Sequence, residues 1–245
     1  MICFLEKEIS KIKENYQIYG LDYNCDGTSL ALCGNNIFVP FLYYQRLYFN
    51  KIKIKVYDSE TLKQMSNLSS PPIKEKNSHH IYGLKFDQSN PFLLFSGGWD
   101  EIIYLWDIRK SNGEANYLTG PLISTETLDV MEEKLLTGSW RNINQLEVWD
   151  LRKFRKIQDL AWNSYNDSMV QVSKFNKNDS KLILSSGTNQ AGIQVFKDEG
   201  VWQKIDDFGG GDDLEYFSAD FANLNENEIG IGNNKGEMSL MTLFR

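Results

Sequence analysis

The chain has 245 residues, of which 41% are hydrophobic and 24% are charged, and its formal net charge is -7. This composition is typical of a soluble globular protein with a sizeable core, and the acidic balance argues against nucleic acid as the main partner, because phosphate binding needs a basic surface. No segment approaches the roughly 18 consecutive apolar residues of a membrane-spanning helix, so no membrane partner is expected.

The N-terminus and the cysteines indicate an intracellular protein. Met1–Glu8 does not have the pattern of a signal peptide, because its apolar run is short and acidic residues follow at once. Cys3, Cys25 and Cys33 form no Cys-x-x-Cys pair. An odd, sparse set of cysteines without an export signal is typical of reduced thiols, so the expected location is the cytoplasm or the nucleus.

The predicted strands form an internal repeat with a period of roughly 40–45 residues. The second and third repeats match each other best, because each has an apolar strand, a small-residue turn and an alternating strand that ends in Trp-Asp. In chain order, the predicted strands are Tyr19–Tyr23, Leu30–Gly34 and Ile54–Asp58; Tyr82–Phe86 and those within Phe95–Lys110; Thr127–Val130 and those within Leu136–Lys153; Val170–Phe175, Leu182–Gly187 and Ile193–Phe196; and Tyr216–Phe221, Ile229–Gly232 and Met238–Met241.

These segments resemble the WD-repeat family over nearly the whole chain. The resemblance implies an all-β fold, a β-propeller of about five four-stranded blades in a single domain, 1–245. Family members typically have about seven blades, whereas five repeats are visible here. The repeats lie at approximately 16–65, 78–118, 122–160, 166–205 and 212–245.

Both ends of the chain bear on how the ring closes. The last repeat shows three strands, and Ile2–Glu8, apolar at alternate positions, is predicted to supply the fourth. Such closure removes exposed sheet edges. The alternative is an incomplete ring that lacks blades or receives them from a partner. An aromatic insertion, 37–51, interrupts the first repeat. It is interpreted as a gene-model artefact, a loop folded on its own propeller, or a partner-docking arm.

The resemblance also implies a structural tetrad, in which Asp, His, Ser or Thr, and Trp are linked by hydrogen bonds. The second repeat supplies Ser96, Asp100 and Trp106. The third supplies Thr137 and Trp149, but Arg141 replaces the turn Asp. The histidine is missing from its expected place, since His79 and His80 lie closer to the first strand than the family pattern requires.

The candidate chemical groups do not predict an enzyme. His79 and His80 are adjacent in a polar linker, where solvated side chains are expected, and no Cys/His set has zinc spacing. Gly209–Gly211 lacks the Lys-Ser/Thr of a phosphate loop. Its acidic neighbours indicate a solvated loop between blades, with a cation site as the alternative. We therefore expect no catalytic residues, no metal and no cofactor.

Two groups of residues predict contacts with other proteins. Trp99, Trp140 and Arg141 lie in turns that would share one rim, and Trp and Arg dominate binding hot spots. The alternative is that both Trp rings pack against the next blade. Arg109 and Arg152 end two Trp-Asp-x-Arg motifs, which resemble those of substrate receptors of cullin-RING ubiquitin ligases.

The expected function is a non-catalytic protein-interaction scaffold, as a subunit of a larger intracellular assembly. The alternatives are a ubiquitin-ligase substrate receptor and, from a different class, an enzyme built on a propeller. The oligomeric state stays open.

Overall fold

The computed structural model describes residues 11–14, 16–34, 52–70, 80–110, 114–162, 168–188, 192–208, 214–222 and 228–243. Within these ranges the chain forms 19 strands and no helix, and consequently no helix long and apolar enough to cross a membrane. The strands assemble into five antiparallel sheets, in each of which neighbours along the chain are neighbours in the sheet.

Each of the first four sheets has four strands. The first sheet contains β1 (Ile18–Tyr23), β2 (Ser29–Gly34), β3 (Ile52–Asp58) and β4 (Gln64–Ser70), and the second contains β5 (Ile81–Phe86), β6 (Leu93–Gly98), β7 (Ile102–Asp107) and β8 (Glu114–Thr119). The third contains β9 (Leu128–Met131), β10 (Lys134–Gly138), β11 (Leu146–Asp150) and β12 (Arg155–Leu160), and the fourth contains β13 (Val170–Phe175), β14 (Leu182–Gly187), β15 (Ile193–Asp198) and β16 (Trp202–Phe208).

The fifth sheet has three described strands: β17 (Tyr216–Phe221), β18 (Glu228–Asn233) and β19 (Met238–Thr242). The predicted closing strand, Ile2–Glu8, lies outside the described residues. So do the aromatic insertion 37–51, His79 and the Gly209–Gly211 run. Their predictions therefore remain predictions.

The aspartates that end the third strands of the second and third sheets shape the turns to the fourth strands. Asp107 Oδ1 accepts the backbone N–H of Arg109 at 3.1 Å, and Asp150 Oδ1 accepts that of Arg152 at 2.8 Å. A carboxylate that bonds the backbone two residues later stabilises a tight turn. The Asp of each Trp-Asp pair thus stabilises the turn that follows it. Hydrogen bonds also hold the pKa of both carboxyls below the usual range. The largest cause is the bond from the Arg109 side chain at Asp107 and the bond from the Lys153 backbone N–H at Asp150.

Apolar cores join each sheet to the next. The core between the first two sheets includes Val56, Phe86 and Trp106, all fully buried. Further cores join the second to the third sheet, the third to the fourth, and the fourth to the fifth. Strand β7 is buried along its whole length, because its sheet lies between two others. Sheets that cannot cover both of their faces alone therefore stack in chain order.

The first strands of all five sheets meet around a central channel. A cavity of about 450 Å³ is lined by residues from or beside each of these strands, namely Tyr19, Tyr82, Thr125, Gln171 and Phe217. In the first four sheets the fourth strand lies outermost, at the edge far from the channel. The predicted all-β propeller of about five blades is confirmed.

The described N-terminal residues cover part of the first sheet. Ile12 packs against Leu30, Leu32 and Tyr57. The Glu14 carboxylate, which is almost fully buried, pairs with Lys55 Nζ at 2.5 Å and accepts a hydrogen bond from the Tyr57 hydroxyl. This face would otherwise be open, because the second sheet occupies only the opposite one.

Candidate protein-interaction site

Two blades carry the expected hydrogen bond from a central Trp. The Trp106 Nε1–H donates to Ser96 Oγ at 2.8 Å, and both side chains are fully buried. The Trp149 Nε1–H donates to Thr137 Oγ1 at 3.0 Å. In each blade the bond ties the third strand to the second inside the sheet stack. A buried indole N–H needs such a partner, since leaving it unpaired would cost stability.

The other predicted tetrad residues lie nearby. Asp100 is buried in the turn that follows β6, where its carboxylate faces the backbone N–H of Ile102 at 3.3 Å. His80, which does not fit the tetrad pattern, lies directly before β5 among the aromatic rings of the channel mouth.

Three blades have no Trp at the central position. Phe196 occupies it in the fourth sheet, and its ring has no hydrogen-bond donor. The equivalent hydroxyl, Ser185 Oγ, is buried there without a hydrogen-bond partner among the described residues. In the first sheet, Tyr57 takes the position and its hydroxyl turns to Glu14 instead. In the fourth sheet packing therefore replaces the hydrogen bond, whereas in the first sheet a hydrogen bond to Glu14 takes its place.

Four aromatic side chains stack at one mouth of the channel: Tyr19, His80, Tyr82 and Trp99, which we name the rim cluster. The ring centroids of Tyr19 and Tyr82 are 4.8 Å apart, and those of Tyr82 and Trp99 are 5.3 Å apart. His80 lies 5.8 Å from Tyr82 by the same measure. Offset stacking at such distances holds each ring in place.

The rim cluster is ordered yet accessible. Trp99 is 43% exposed, and its Nε1–H donates to Ser124 Oγ at 2.9 Å, in the segment that leads to the third sheet. The central cavity begins directly beside it, with Tyr19, Tyr82 and Glu126 in its wall. The result is a rigid aromatic surface whose Trp edge faces solvent.

Of the rim cluster, the sequence predicted only Trp99 as a contact for a partner protein. Tyr19 and Tyr82 come together because they occupy the same place in neighbouring inner strands. The signal was present in the shared Ile-Tyr-Gly-Leu of Ile18–Tyr23 and Ile81–Phe86, but it was used only to detect the repeat. Two identical residues at one repeat position become neighbours once the sheets stack around an axis.

Trp140 and Arg141 occupy the equivalent turn of the third sheet and make internal contacts. The Trp140 Nε1–H donates to the Val170 carbonyl of the fourth sheet at 3.0 Å. Arg141 Nη2 lies 2.9 Å from Oε2 of the buried Glu147, which also pairs with Lys156 at 3.1 Å. Burial raises the pKa of Glu147, and both cations oppose that rise. Trp140 thus joins two blades, while Arg141 offsets a buried charge.

The comparisons with known proteins agree with this geometry. Residues 71–107 match the family described as WD domain, G-beta repeat. Strands β5 to β7 of the second blade are similar to a WD repeat. The match ends at the Asp of the first Trp-Asp pair and includes Ser96, Asp100 and Trp106. No curated protein matches the chain. WD-repeat propellers serve in general as protein-interaction scaffolds, and the match at residues 71–107 supports a role of this general kind.

Both Trp-Asp-x-Arg motifs point to the rim opposite the rim cluster. Arg109 follows β7 of the second blade, and its guanidinium forms a two-bond fork with Asp107, at 2.8 and 2.7 Å. Its charged group also lies 4.6 Å from the centre of the Phe92 ring. Arg152 is mostly exposed and pairs with the exposed Glu133 at 2.9 Å. The two arginines therefore occupy equivalent, accessible places.

No group of three or more His, Cys, Asp or Glu side chains that could hold a metal ion occurs in the described part of the chain. The charged side chains of the inner strands alternate in sign and pair with one another. Lys85 Nζ lies 3.7 Å from Asp22 and 3.8 Å from Asp129, and Lys174 Nζ lies 2.7 Å from Asp220. These pairs join neighbouring sheets electrostatically.

Proposed function

We propose that the chain is a non-catalytic scaffold subunit of a larger assembly, and that it holds a partner protein at the rim cluster. The observation that carries this proposal is the stack of Tyr19, Tyr82 and Trp99, which is fixed at the channel mouth while Trp99 stays 43% exposed. Most exposed apolar residues of a protein surface stand singly, whereas this one continues an aromatic stack.

The physics of recognition favours this surface. Aromatic side chains bury a large area with few rotatable bonds, so binding costs them little conformational entropy. The hydrogen bond from Trp99 to Ser124 and the stacking on Tyr82 fix the indole before a partner arrives. A preorganised anchor beside a concave channel mouth is suited to a protruding loop or chain end of a partner.

The test is quantitative affinity purification with mass spectrometry, comparing wild type with Trp99→Ala. The matched control is Phe92→Ala, because Phe92 is 41% exposed but lies on the opposite rim. We expect Trp99→Ala to reduce recovery of the main partner at least tenfold, the loss typical of a hot-spot residue. Phe92→Ala should leave recovery unchanged. Circular dichroism must show both variants folded. Full recovery with folded Trp99→Ala would refute the rim cluster as the docking surface.

A second candidate rests on the opposite rim. Arg109 and Arg152 are both mostly exposed at equivalent places, which a ligase adaptor could read together. An Arg offers a planar group with several donors for such a contact. If the chain is a substrate receptor, the Arg109→Ala/Arg152→Ala variant loses the adaptor that wild type recovers. Equal recovery by both, or recovery by neither, contradicts this candidate.

A further inference from the structure

The central channel is surrounded by more carboxylates than ammonium groups. Each of the five inner strands carries one charged residue, and in chain order these residues are Asp22, Lys85, Asp129, Lys174 and Asp220. Glu126, in the bend that precedes β9, adds a fourth carboxylate and lines the channel. The inner strands and this bend therefore hold two lysines against four carboxylates.

The three strand acids already join neighbouring sheets. Each of them pairs with a lysine of an adjacent inner strand. Asp22 Oδ2 also accepts the backbone N–H of Phe86, in the following sheet, at 2.7 Å. Asp129 Oδ2 accepts that of Phe175 at 2.9 Å in the same way. The charges of the inner strands are therefore matched within the fold, and both lysines have a strand acid as partner.

Glu126 is the carboxylate that remains without a counterion. Its side chain has neither a hydrogen bond nor an ion pair within the part of the chain that the structure describes. Its backbone is nevertheless fixed on both sides. Thr125 Oγ1 donates to the Gln171 carbonyl at 2.8 Å, and the Thr127 carbonyl accepts from Ser173 Oγ at 3.0 Å. A carboxylate that is held in this way beside a concave opening attracts a cation.

The cavity beside Glu126 has the size and the walls to receive a long basic side chain. The cavity at the channel mouth has a volume of about 450 Å³, and a second cavity of about 130 Å³ adjoins it, since Tyr82, Glu126 and Lys174 line both. Apolar groups of Tyr82, Val172 and Phe217 form part of the wall at the mouth. The methylene stem of Lys or Arg can pack on such a wall while its charged end reaches a carboxylate.

We propose that the partner segment held at the rim cluster inserts a basic side chain, Lys or Arg, into the channel, where Glu126 is its counterion. This inference rests on the proposed function and specifies the chemistry of the partner. Trp99 donates to Ser124, two residues before Glu126, so one short segment fixes both the exposed anchor and the carboxylate. A single loop of the partner can therefore contact both. Charge complementarity in the concave mouth favours a cation there over a neutral or acidic side chain.

The probe is a phage-displayed library of random peptides, selected on the wild-type full chain and counter-selected on Trp99→Ala. Peptides that bind wild type but not Trp99→Ala depend on the rim cluster. We expect one position of these peptides to be enriched in Lys or Arg. The enrichment should disappear when the selection is repeated on Glu126→Gln, because this substitution removes the charge with little change in shape.

The tightest of these peptides gives the quantitative test, by fluorescence anisotropy of its fluorescein-labelled form. Replacing its Arg by citrulline, or its Lys by norleucine, should weaken binding to wild type at least tenfold, as expected for a desolvated charge pair. The same replacement should change binding to Glu126→Gln less than twofold, because the pair is already broken there. The matched control is Glu132→Gln, since Glu132 is exposed beyond the opposite end of β9. It should show the same loss as wild type.

The outcomes separate this inference from the proposed function. Trp99-dependent peptides without a preferred basic residue, or with the same preference on Glu126→Gln, would overturn the inference and leave the rim cluster as the docking surface. Peptides of the first kind are also the result expected if the chain's own residues fill the channel. An absence of Trp99-dependent peptides would contradict both proposals. A dimer in ultracentrifugation that Glu126→Gln dissociates would assign the site to a second copy and overturn the inference too.

Discussion

Ser96 and Ser185 offer a paired test of how much the buried hydrogen bond to the central Trp contributes to the stability of a blade. Both serines face the third strand of their sheet at the same ladder position, opposite Tyr104 and Gln194. Both are fully buried. They differ in their partner: Ser96 Oγ accepts the Trp106 indole N–H at 2.8 Å, whereas Ser185 Oγ has no partner among the described residues. The perturbation is the same in each case, Ser→Ala.

Ser96→Ala should lower the free energy of unfolding, whereas Ser185→Ala should leave it unchanged or raise it. Ser96→Ala leaves a buried indole N–H unsatisfied, which costs about 1–3 kcal/mol. Ser185→Ala removes a buried hydroxyl that no described group satisfies, so it should be neutral or stabilise by about 1 kcal/mol. The volume removed is a single oxygen in both variants, so differences in cavity size are small. The two variants should therefore be separated by about 1–4 kcal/mol.

Urea denaturation followed by tryptophan fluorescence measures both variants. With a slope of about 2 kcal/mol/M, a change of about 2 kcal/mol moves the midpoint by about 1 M. We expect the midpoint of Ser96→Ala to fall and that of Ser185→Ala to stay or rise, at equal slopes. Equal losses in the two variants would refute the reasoning, because they would show that the hydroxyl of Ser185 contributes as much as that of Ser96.

Two other contacts give predictions of their own. Arg141→Ala should destabilise the chain by about 1–3 kcal/mol at about pH 7, because it leaves the buried Glu147 carboxylate with Lys156 alone. Loss of Arg141 raises the pKa of Glu147 further, because one of the two cations that oppose the effect of burial is gone. The carboxyl is more protonated at about pH 4, so the loss of stability should be smaller there than at about pH 7. An equal decrease of the urea midpoint at the two pH values would contradict this prediction. Tyr57→Phe removes the hydroxyl bonded to Glu14, which should cost about 1–3 kcal/mol and speed tryptic cleavage at Lys11 and Lys13. The control is Tyr117→Phe, because the ring of Tyr117 is exposed. Equal cleavage rates in the two variants would show that the Tyr57 hydroxyl does not hold the N-terminal residues on the first sheet.

Sequence patterns predicted the blades well where the pattern is local. The small-residue turn and the Trp-Asp pair predicted β6, β7, β10 and β11. Such local prediction succeeds because a turn and an alternately buried strand each require particular residue types at adjacent positions. The fourth strands were not predicted individually. Arg155–Leu160, for example, alternates between exposed and partly buried residues and is largely polar, since an outer strand covers little of the core.

The candidate site was harder to predict because its parts come from different blades. Trp99 is one residue of the second blade, but the rim cluster also needs Tyr19 of the first. Its membership depends on how neighbouring sheets rotate around the channel, which no short window of sequence contains. The internal contacts of Arg141 are of the same kind, because the buried Glu147 lies on the following strand and is an unusual residue for a core position.

Asp22 and Asp129, which accept a backbone N–H from the next sheet, also indicate the order in which the sheets assemble. Asp22 takes a backbone N–H from a strand 64 residues further along the chain, and Asp129 takes one from a strand 46 residues further along. During translation the earlier sheet leaves the ribosome first, with its acceptor already in place when the later strand emerges. The second and fourth sheets can therefore dock on the sheets before them as soon as they are synthesised. A nascent chain built this way keeps a single growing face for chaperones to protect.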